Sequence, residues 1–145
     1  MSLNYKKQIL IPVIGTKTLA NVRTSVTLTA AYTGNTKTFK VGGYSKLDLA
    51  VLYTMGATET INSIEIQVEA SPDGVNFYRV PNESVSGGTS TLTVREFTFV
   101  GTNAAAATIS VGLDIFYQYL KISIKETGVV TNFGTAYIEG TLSGL

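Results

Sequence analysis

Carboxylates and lysines are the side chains with most chemical scope in this 145-residue chain, because it contains no histidine and no cysteine. That composition removes the commonest general base, the usual imidazole ligand, the thiol nucleophile and the thiolates of zinc sites. Ser–His–Asp and Cys–His arrangements are thereby excluded. Glu65 and Glu69 share the polar side of one alternating segment, but four residues at about 3.3 Å of rise set them roughly 13 Å apart. Paired carboxylates in glycoside hydrolysis work at ~5 to 9.5 Å, so these two read as a solvated sheet face. Asp73, followed by Gly74 and Asn76, offers one carboxylate where a calcium loop needs several oxygen ligands, and reads as an Asp capping its own turn. Gly42-Gly43-Tyr44-Ser45-Lys46 lacks the spacing and following helix of a phosphate loop, and reads as a turn into a strand. A carboxylate or lysine enzyme would need a pocket gathering at least two of Lys46, Asp48, Glu96 and Asp114, and nothing in their spacing predicts one. The expectation is a protein that is not an enzyme, with no catalytic, cofactor-binding or metal-ligating residues.

Binding has better candidates. Tyr44, Tyr53, Tyr78, Tyr117, Tyr119 and Tyr137, with Phe77 and Phe116, combine large apolar rings with, in tyrosine, a polar tip suited to sugars or to protein interfaces. Ordinary cross-strand packing competes for each of them. Tyr78 and Tyr117 are the two singled out for binding. Ile9, Ile11 and Ile14 join them, because the segment through Ile14 is apolar and interrupted by Pro12, the makings of an arm over residues 1–14 that docks on a partner.

The elements that must position these residues are strands. Thr, Val, Ile, Tyr and Phe recur with period two between Gly, Asn, Asp and Pro punctuation. From Asn62 to Ala70, Ile64, Ile66, Val68 and Ala70 alternate with Glu65, Gln67 and Glu69, one face for a core and one for water. From Tyr117 to Lys125, Leu120, Ile122 and Ile124 alternate with Tyr119, Lys121, Ser123 and Lys125. Laid antiparallel, the two strands would set Glu65 against Lys125 and Glu69 against Lys121. Further strands are predicted at Gln8–Ile14, Ser25–Ala31, Lys37–Val41, Lys46–Tyr53, Leu92–Val100, Thr108–Leu113 and Thr135–Leu142. The run from Leu47 to Tyr53 is apolar on both faces after Asp48, which suits the middle of a sheet. Turns are expected at Thr33-Gly34-Asn35, Gly42-Gly43, Ser71-Pro72-Asp73-Gly74 and Ser86-Gly87-Gly88. A short helix over Asn103 to Ala107 is an alternative to a crowded loop there. About nine strands at such spacing predict an all-β chain, an antiparallel β-sandwich of jelly-roll type, and residues 1–145 read as one domain.

Charge sets the partners. Only 14% of residues are charged and the net charge is +1, against about 25% charged residues in ordinary soluble domains. A surface so poor in ionised groups tends to associate, so self-association into a homo-oligomer and contact with other subunits are expected. Eleven basic against ten acidic side chains make no footprint for nucleic acid. No apolar stretch approaches bilayer length, and Pro12 and Lys17 spoil the one run that could serve as a signal core. The chain is expected to be soluble and unprocessed, with no membrane partner.

The order Ile-Glu-Ile-Gln-Val-Glu-Ala-Ser-Pro-Asp-Gly-Val-Asn-Phe-Tyr (64 to 78), Tyr-Gln-Tyr-Leu-Lys-Ile-Ser-Ile-Lys-Glu-Thr-Gly (117 to 128) and Gly-Thr-Ala-Tyr-Ile-Glu-Gly (134 to 140) resembles small structural proteins of tailed bacteriophages. The likeness runs from Lys46 to Leu142, about two thirds of the chain. It implies a β-sandwich made in the host cytoplasm and carried in the virion, as a capsid decoration or auxiliary head protein binding the major capsid protein or other virion proteins. The Ser-Pro-Asp-Gly turn at 71 to 74 and the Tyr-Leu-Lys-Ile strand at 119 to 122 are also similar to discoidin-type galactose-binding-like domains. That likeness implies a jelly roll with a surface glycan as the alternative partner. The chain departs from those domains in having no cysteine or tryptophan and no basic or aromatic loop cluster in sequence, so none of their ligand residues carries over.

Overall fold

Alternation of apolar and polar residues builds the two strands at the centre of the fold. A computed structural model describes residues 6–10, 15–17, 23–34, 38–80, 82–86, 89–93, 95–100, 106–129 and 131–144. Among them the strands run, in chain order, β1 (Lys6–Leu10), β2 (Thr16–Lys17), β3 (Arg23–Thr24), β4 (Val26–Thr27), β5 (Thr33–Gly34), β6 (Phe39–Lys40), β7 (Lys46–Thr54), β8 (Ile61–Ser71), β9 (Tyr78–Val80), β10 (Asn82–Ser86), β11 (Thr89–Thr93), β12 (Arg95–Val100), β13 (Ala106–Asp114), β14 (Tyr119–Thr127) and β15 (Thr135–Ser143). No helix occurs among the described residues. The protein is an all-β antiparallel sandwich, as its sequence pattern requires.

Each layer is four strands wide. In the first, β7 lies between β13 and β15, and β1 and β4 share the far side of β15. In the second, β8 and β14 are the central pair; β12 and β9 follow one another along β8, and β5 and β6 along β14. Every pairing is antiparallel. Between the layers lie Leu47, Leu49 and Val51 of β7, Ile64, Ile66 and Val68 of β8, Leu120, Ile122 and Ile124 of β14, and Ile138 and Leu142 of β15, all buried. Full burial of side chains of this size is worth about 1.5–3 kcal/mol each, so this layer is the main source of stability.

β14 pairs with β8 over nine positions, with Lys121 opposite Glu69 and Lys125 opposite Glu65. The charges then meet on the outer face. Lys121 Nζ is 2.7 Å from Glu69 Oε2 and Lys125 Nζ is 3.0 Å from Glu65 Oε2, the pairing that the alternating pattern predicts. Each ammonium also rests on an aromatic ring, Lys121 5.2 Å from the Phe77 centroid and Lys125 4.9 Å from that of Tyr32. The Tyr32 hydroxyl donates to Glu65 Oε2 at 2.8 Å. Burial alone would raise the Glu65 carboxyl, but bonds from Lys125 and Tyr32 outweigh it and hold the group below the usual range.

Several boundaries differ from the sequence pattern, each for a reason of partnership. Leu92–Val100 divides between two sheets: β11 pairs with β10 as a hairpin, and β12 takes the free side of β8. Ser25–Ala31 keeps only two strand residues, because this segment crosses between the layers. Leu28 N–H donates to Gly134 O, and Thr29 O accepts from Glu126 N–H. Thr33 and Gly34, expected in a turn, pair with β14. Ala106 and Ala107, placed by one alternative in a helix, belong to β13, and residues 103–105 lie outside the described residues.

Ile124 and Lys125 are neighbours on opposite faces, and their truncation separates the two contributions. Ile124→Ala is expected to cost about 2–5 kcal/mol through a core cavity, and Lys125→Ala less than about 1 kcal/mol. Urea unfolding of the two variants checks the ratio.

Candidate functional site

The sandwich closes differently at its two ends, and the chemistry follows. At one end the turn after β8 is built by Ser71 and Asp73. Ser71 Oγ accepts from Gly74 N–H at 2.8 Å, and Asp73 Oδ1 accepts from Val75 and Asn76 N–H at 2.8 and 2.9 Å. Asn76 Nδ2 donates to Asp73 Oδ2 at 2.8 Å. The backbone bonds from Asn76 and Val75, then the side-chain bonds from Asn76 and Ser71, hold the Asp73 carboxyl well below the ordinary aspartate range. It is a capping Asp, as its sequence setting indicates, with its lone pairs committed to its own turn. Gly74 occupies the left-handed region at φ +78°, which completes the reversal into β9.

That turn delivers Tyr78 to the margin of the second sheet, opposite Ala70 of β8. The chain from β13 to β14 arrives at the same corner. Ile115 is buried, its N–H bonded to Ser45 O at 2.8 Å, and Gln118 O accepts from Val41 N–H at 2.8 Å. Between those two anchors Phe116 projects and Tyr117 lies half-buried against the core, their rings edge to face at 6.4 Å. Tyr78, Phe116 and Tyr117 line one cleft of about 490 Å³ with Pro72, Val80 and Ala70, and Arg79 and Gln118 contribute its polar groups. Phe116 is 84% exposed and Tyr78 66%. Large rings open to water at a concave apolar site make this cleft the candidate binding surface.

Tyr78 and Tyr117, marked from sequence, are therefore brought together. Phe116, one of the wider set of aromatic candidates, completes the cleft with Arg79 and Gln118, which the sequence does not mark. The expectation of no aromatic loop cluster is corrected: the cluster forms from two connections nearly forty residues apart, and no local window displays it. Tyr53 and Tyr137 are each 1% exposed and serve packing. Ile9 lies in β1, whose backbone pairs with β15; Ile11 and Ile14 lie outside the described residues. Lys46 and Asp114 stand opposite each other on the exposed outer face of the first sheet, with Asp48 two residues along, and none of the three lines this cleft.

The other end is closed by buried carboxylates. Glu126 continues the inward side of β14 and is fully buried. Tyr53 O–H from the opposite sheet and Asn62 Nδ2 donate to its Oε1, the latter at 2.9 Å, and Gly134 N–H donates to Oε2 at 2.6 Å. Glu59, also buried, accepts at Oε1 from Thr131 and Asn132 N–H at 2.7 and 3.0 Å. Carboxylates surrounded by donors suit a clamp between sheets rather than a cation site, and among the described residues no three acidic groups gather as metal ligands would. Burial of the Tyr53 phenol, then its bond to Glu126, push its ionisation above the usual tyrosine range.

No known protein family matches the sequence, and no curated protein does. Several solved structures are similar to this one. Dimeric latent PorU from Porphyromonas gingivalis superposes with a TM-score of 0.51 at 8% identity, over 97% of this chain and 13% of that one. The chain thus spans about an eighth of the PorU chain's length. The CBM36-1 domain of a multidomain xylanase from the hindgut metagenome of Trinervitermes trinervoides gives 0.45 at 9% identity, over 97% and 98% of the two chains. Infectious bursal disease virus Gx strain gives 0.36 at 10%, over 98% and 33%. At such identities the PorU likeness is one of fold alone.

Glu126→Gln retains volume but sets an amide donor among three donors, and is expected to cost about 1–3 kcal/mol; urea unfolding measures it. Tyr32, raised from 10.0 to about 12 by burial and by its bond to Glu65, makes the second case. Its folded form holds the proton more tightly than the unfolded chain, so its contribution is complete below pH 10 and disappears as pH rises towards 12. Melting temperatures between pH 8 and 12 should fall less steeply for Tyr32→Phe than for the native chain.

Proposed function

We propose that the chain is a non-enzymatic structural protein of a bacteriophage particle, a capsid decoration or auxiliary head component that binds coat subunits. The observation that carries this reading is the cleft in which Tyr78 and Phe116 stand exposed beside a half-buried Tyr117. Its composition supports the same reading, since 14% charged residues and a net charge of +1 oppose contact with other subunits very little. The resemblance of the segments 64 to 78, 117 to 128 and 134 to 140 to small phage structural proteins supplies the particle.

Magnitudes decide how such a protein would hold. Covering the exposed parts of three rings is worth a few kcal/mol at ~25 cal/mol per Å². Association costs roughly 4–15 kcal/mol, so one cleft alone binds weakly. Repetition over a shell, with contacts engaged together, makes the attachment firm. A surface glycan is the second reading, favoured by Arg79 and Gln118 beside the rings, where planar hydrogen-bonding groups flank a stacking platform.

The isolated protein should bind shells assembled from the coat protein encoded beside it, and Phe116→Ala or Tyr78→Ala should weaken that binding about tenfold or more. Co-sedimentation with the shells reads the result. Failure to sediment, together with saturable binding on a glycan array lost in the same two variants, would transfer the cleft to the glycan reading. Both variants binding shells as the native chain does would remove the cleft from the interface.

A further inference from the structure

The first sheet ends on β13, a strand of nine residues. Among the described residues β13 pairs with β7 alone, so the backbone groups pointing away from β7 meet no other described strand. Such a row of N–H and C=O groups is a template for another chain, and proteins blunt it with short strands, charged residues or proline. The three other margins of this sandwich carry those devices. β1 brings Lys6 and Lys7, β9 and β12 bring Arg79, Arg95 and Glu96, and β5 and β6 have two residues each. β13 has none of them: from Ala106 to Leu113 it is uncharged, and Asp114 stands at its very end.

We propose that β13 pairs antiparallel with β13 of a second copy of this chain, about a two-fold axis at Ser110, joining the two first sheets into one that is eight strands wide. The strand reads alike in both directions. Its pairing with β7 sets Ala107, Ile109, Val111 and Leu113 inward and Ala106, Thr108, Ser110, Gly112 and Asp114 outward. Centred on Ser110, the join sets Ile109 against Val111 of the second copy and Ala107 against Leu113, apolar against apolar beneath the sheet. Thr108 meets Gly112 on the outside, where both are small.

Charge agrees with this register. Asp114 falls opposite Ala106, leaving the two carboxylates roughly 27 Å apart, eight residues at about 3.4 Å. Like charges facing across a ladder would oppose pairing, and here none do. Ile109 is half-buried and packs against the core; the second copy would complete its cover. A symmetric contact of this kind closes on itself as a dimer and leaves no further edge of β13 to recruit a third chain. It engages residues separate from the aromatic cleft and does not depend on what the cleft holds.

The native protein should be dimeric in light scattering at high concentration. Ser110 is exposed, so its substitution should leave the fold intact, checked by circular dichroism. Ser110→Lys and Ser110→Glu would each set like charges face to face and weaken the dimer at least tenfold, and an equimolar mixture of the two should restore it. Because the chain has no cysteine, Ser110→Cys reports directly: directly opposed strand residues lie about 4.5–5.5 Å apart at Cα, within disulfide reach. It should oxidise to a covalent dimer much faster than Val75→Cys in the exposed turn after β8. Phe116→Ala should remain dimeric whatever it does to shell binding, which separates this contact from the cleft reading. A native chain that stays monomeric, a Ser110→Lys variant as dimeric as the native, or cross-linking of Ser110→Cys no faster than the Val75 control would each overturn the proposal. So would cross-linking to coat subunits alone.

Discussion

The register of β14 on β8 is the constraint from which most of the molecule follows. A slip of one residue would carry Leu120, Ile122 and Ile124 into water and draw Lys121 and Lys125 into the core. Held in register, the strands bury three β14 side chains and satisfy two ion pairs with the same nine positions. The ion pairs are worth little in net energy at a surface. Their value lies in specificity, since a one-residue slip faces charges with apolar groups and a two-residue slip parts both ion pairs, while burial supplies the stability.

The same parity carries Glu126 inward, one step beyond Ile124. An unpaired buried carboxylate would be costly, and the fold meets that cost by drawing donors from three elements: Tyr53 on the opposite sheet, Asn62 on β8, and the Gly134 backbone before β15. Polar closure at this end bolts the two layers together. At the other end the connections are anchored by backbone bonds on either side of Phe116 and Tyr117, so the exposed Phe116 ring and the half-buried Tyr117 ring stand on a stiff base. Little conformational entropy is then left to lose when a partner covers them.

An all-β chain with few charges has to manage its edges, and this one does so unevenly. Short or charged strands protect three margins of the sandwich, whereas β13 presents a plain, uncharged border. The connection that leaves β13 at Asp114 and enters β14 at Tyr119 itself carries Phe116, Tyr117 and Gln118 into the cleft, and the border is the strand before it.

Sequence by itself determined what is local or set by parity. The absence of histidine and cysteine excluded whole classes of catalysis, the period-two runs placed β7, β8, β13, β14 and β15, opposite charges foretold their own pairing, and Ser71-Pro72-Asp73-Gly74 wrote its turn. Even the inward place of Glu126 was legible, by continuing the alternation of Leu120, Ile122 and Ile124 past Lys125. Tertiary structure alone decided what depends on which strand lies beside which. The division of residues 92–100 between two sheets, the pairing of Thr33 and Gly34 with β14, and the burial of Tyr53 and Tyr137 beside the exposure of Tyr78 all turned on partners distant in the chain. The cleft is the clearest instance: Tyr78 and Phe116 meet because two connections close the same corner of the sandwich, and a ring's exposure is a property of that corner rather than of its sequence neighbours.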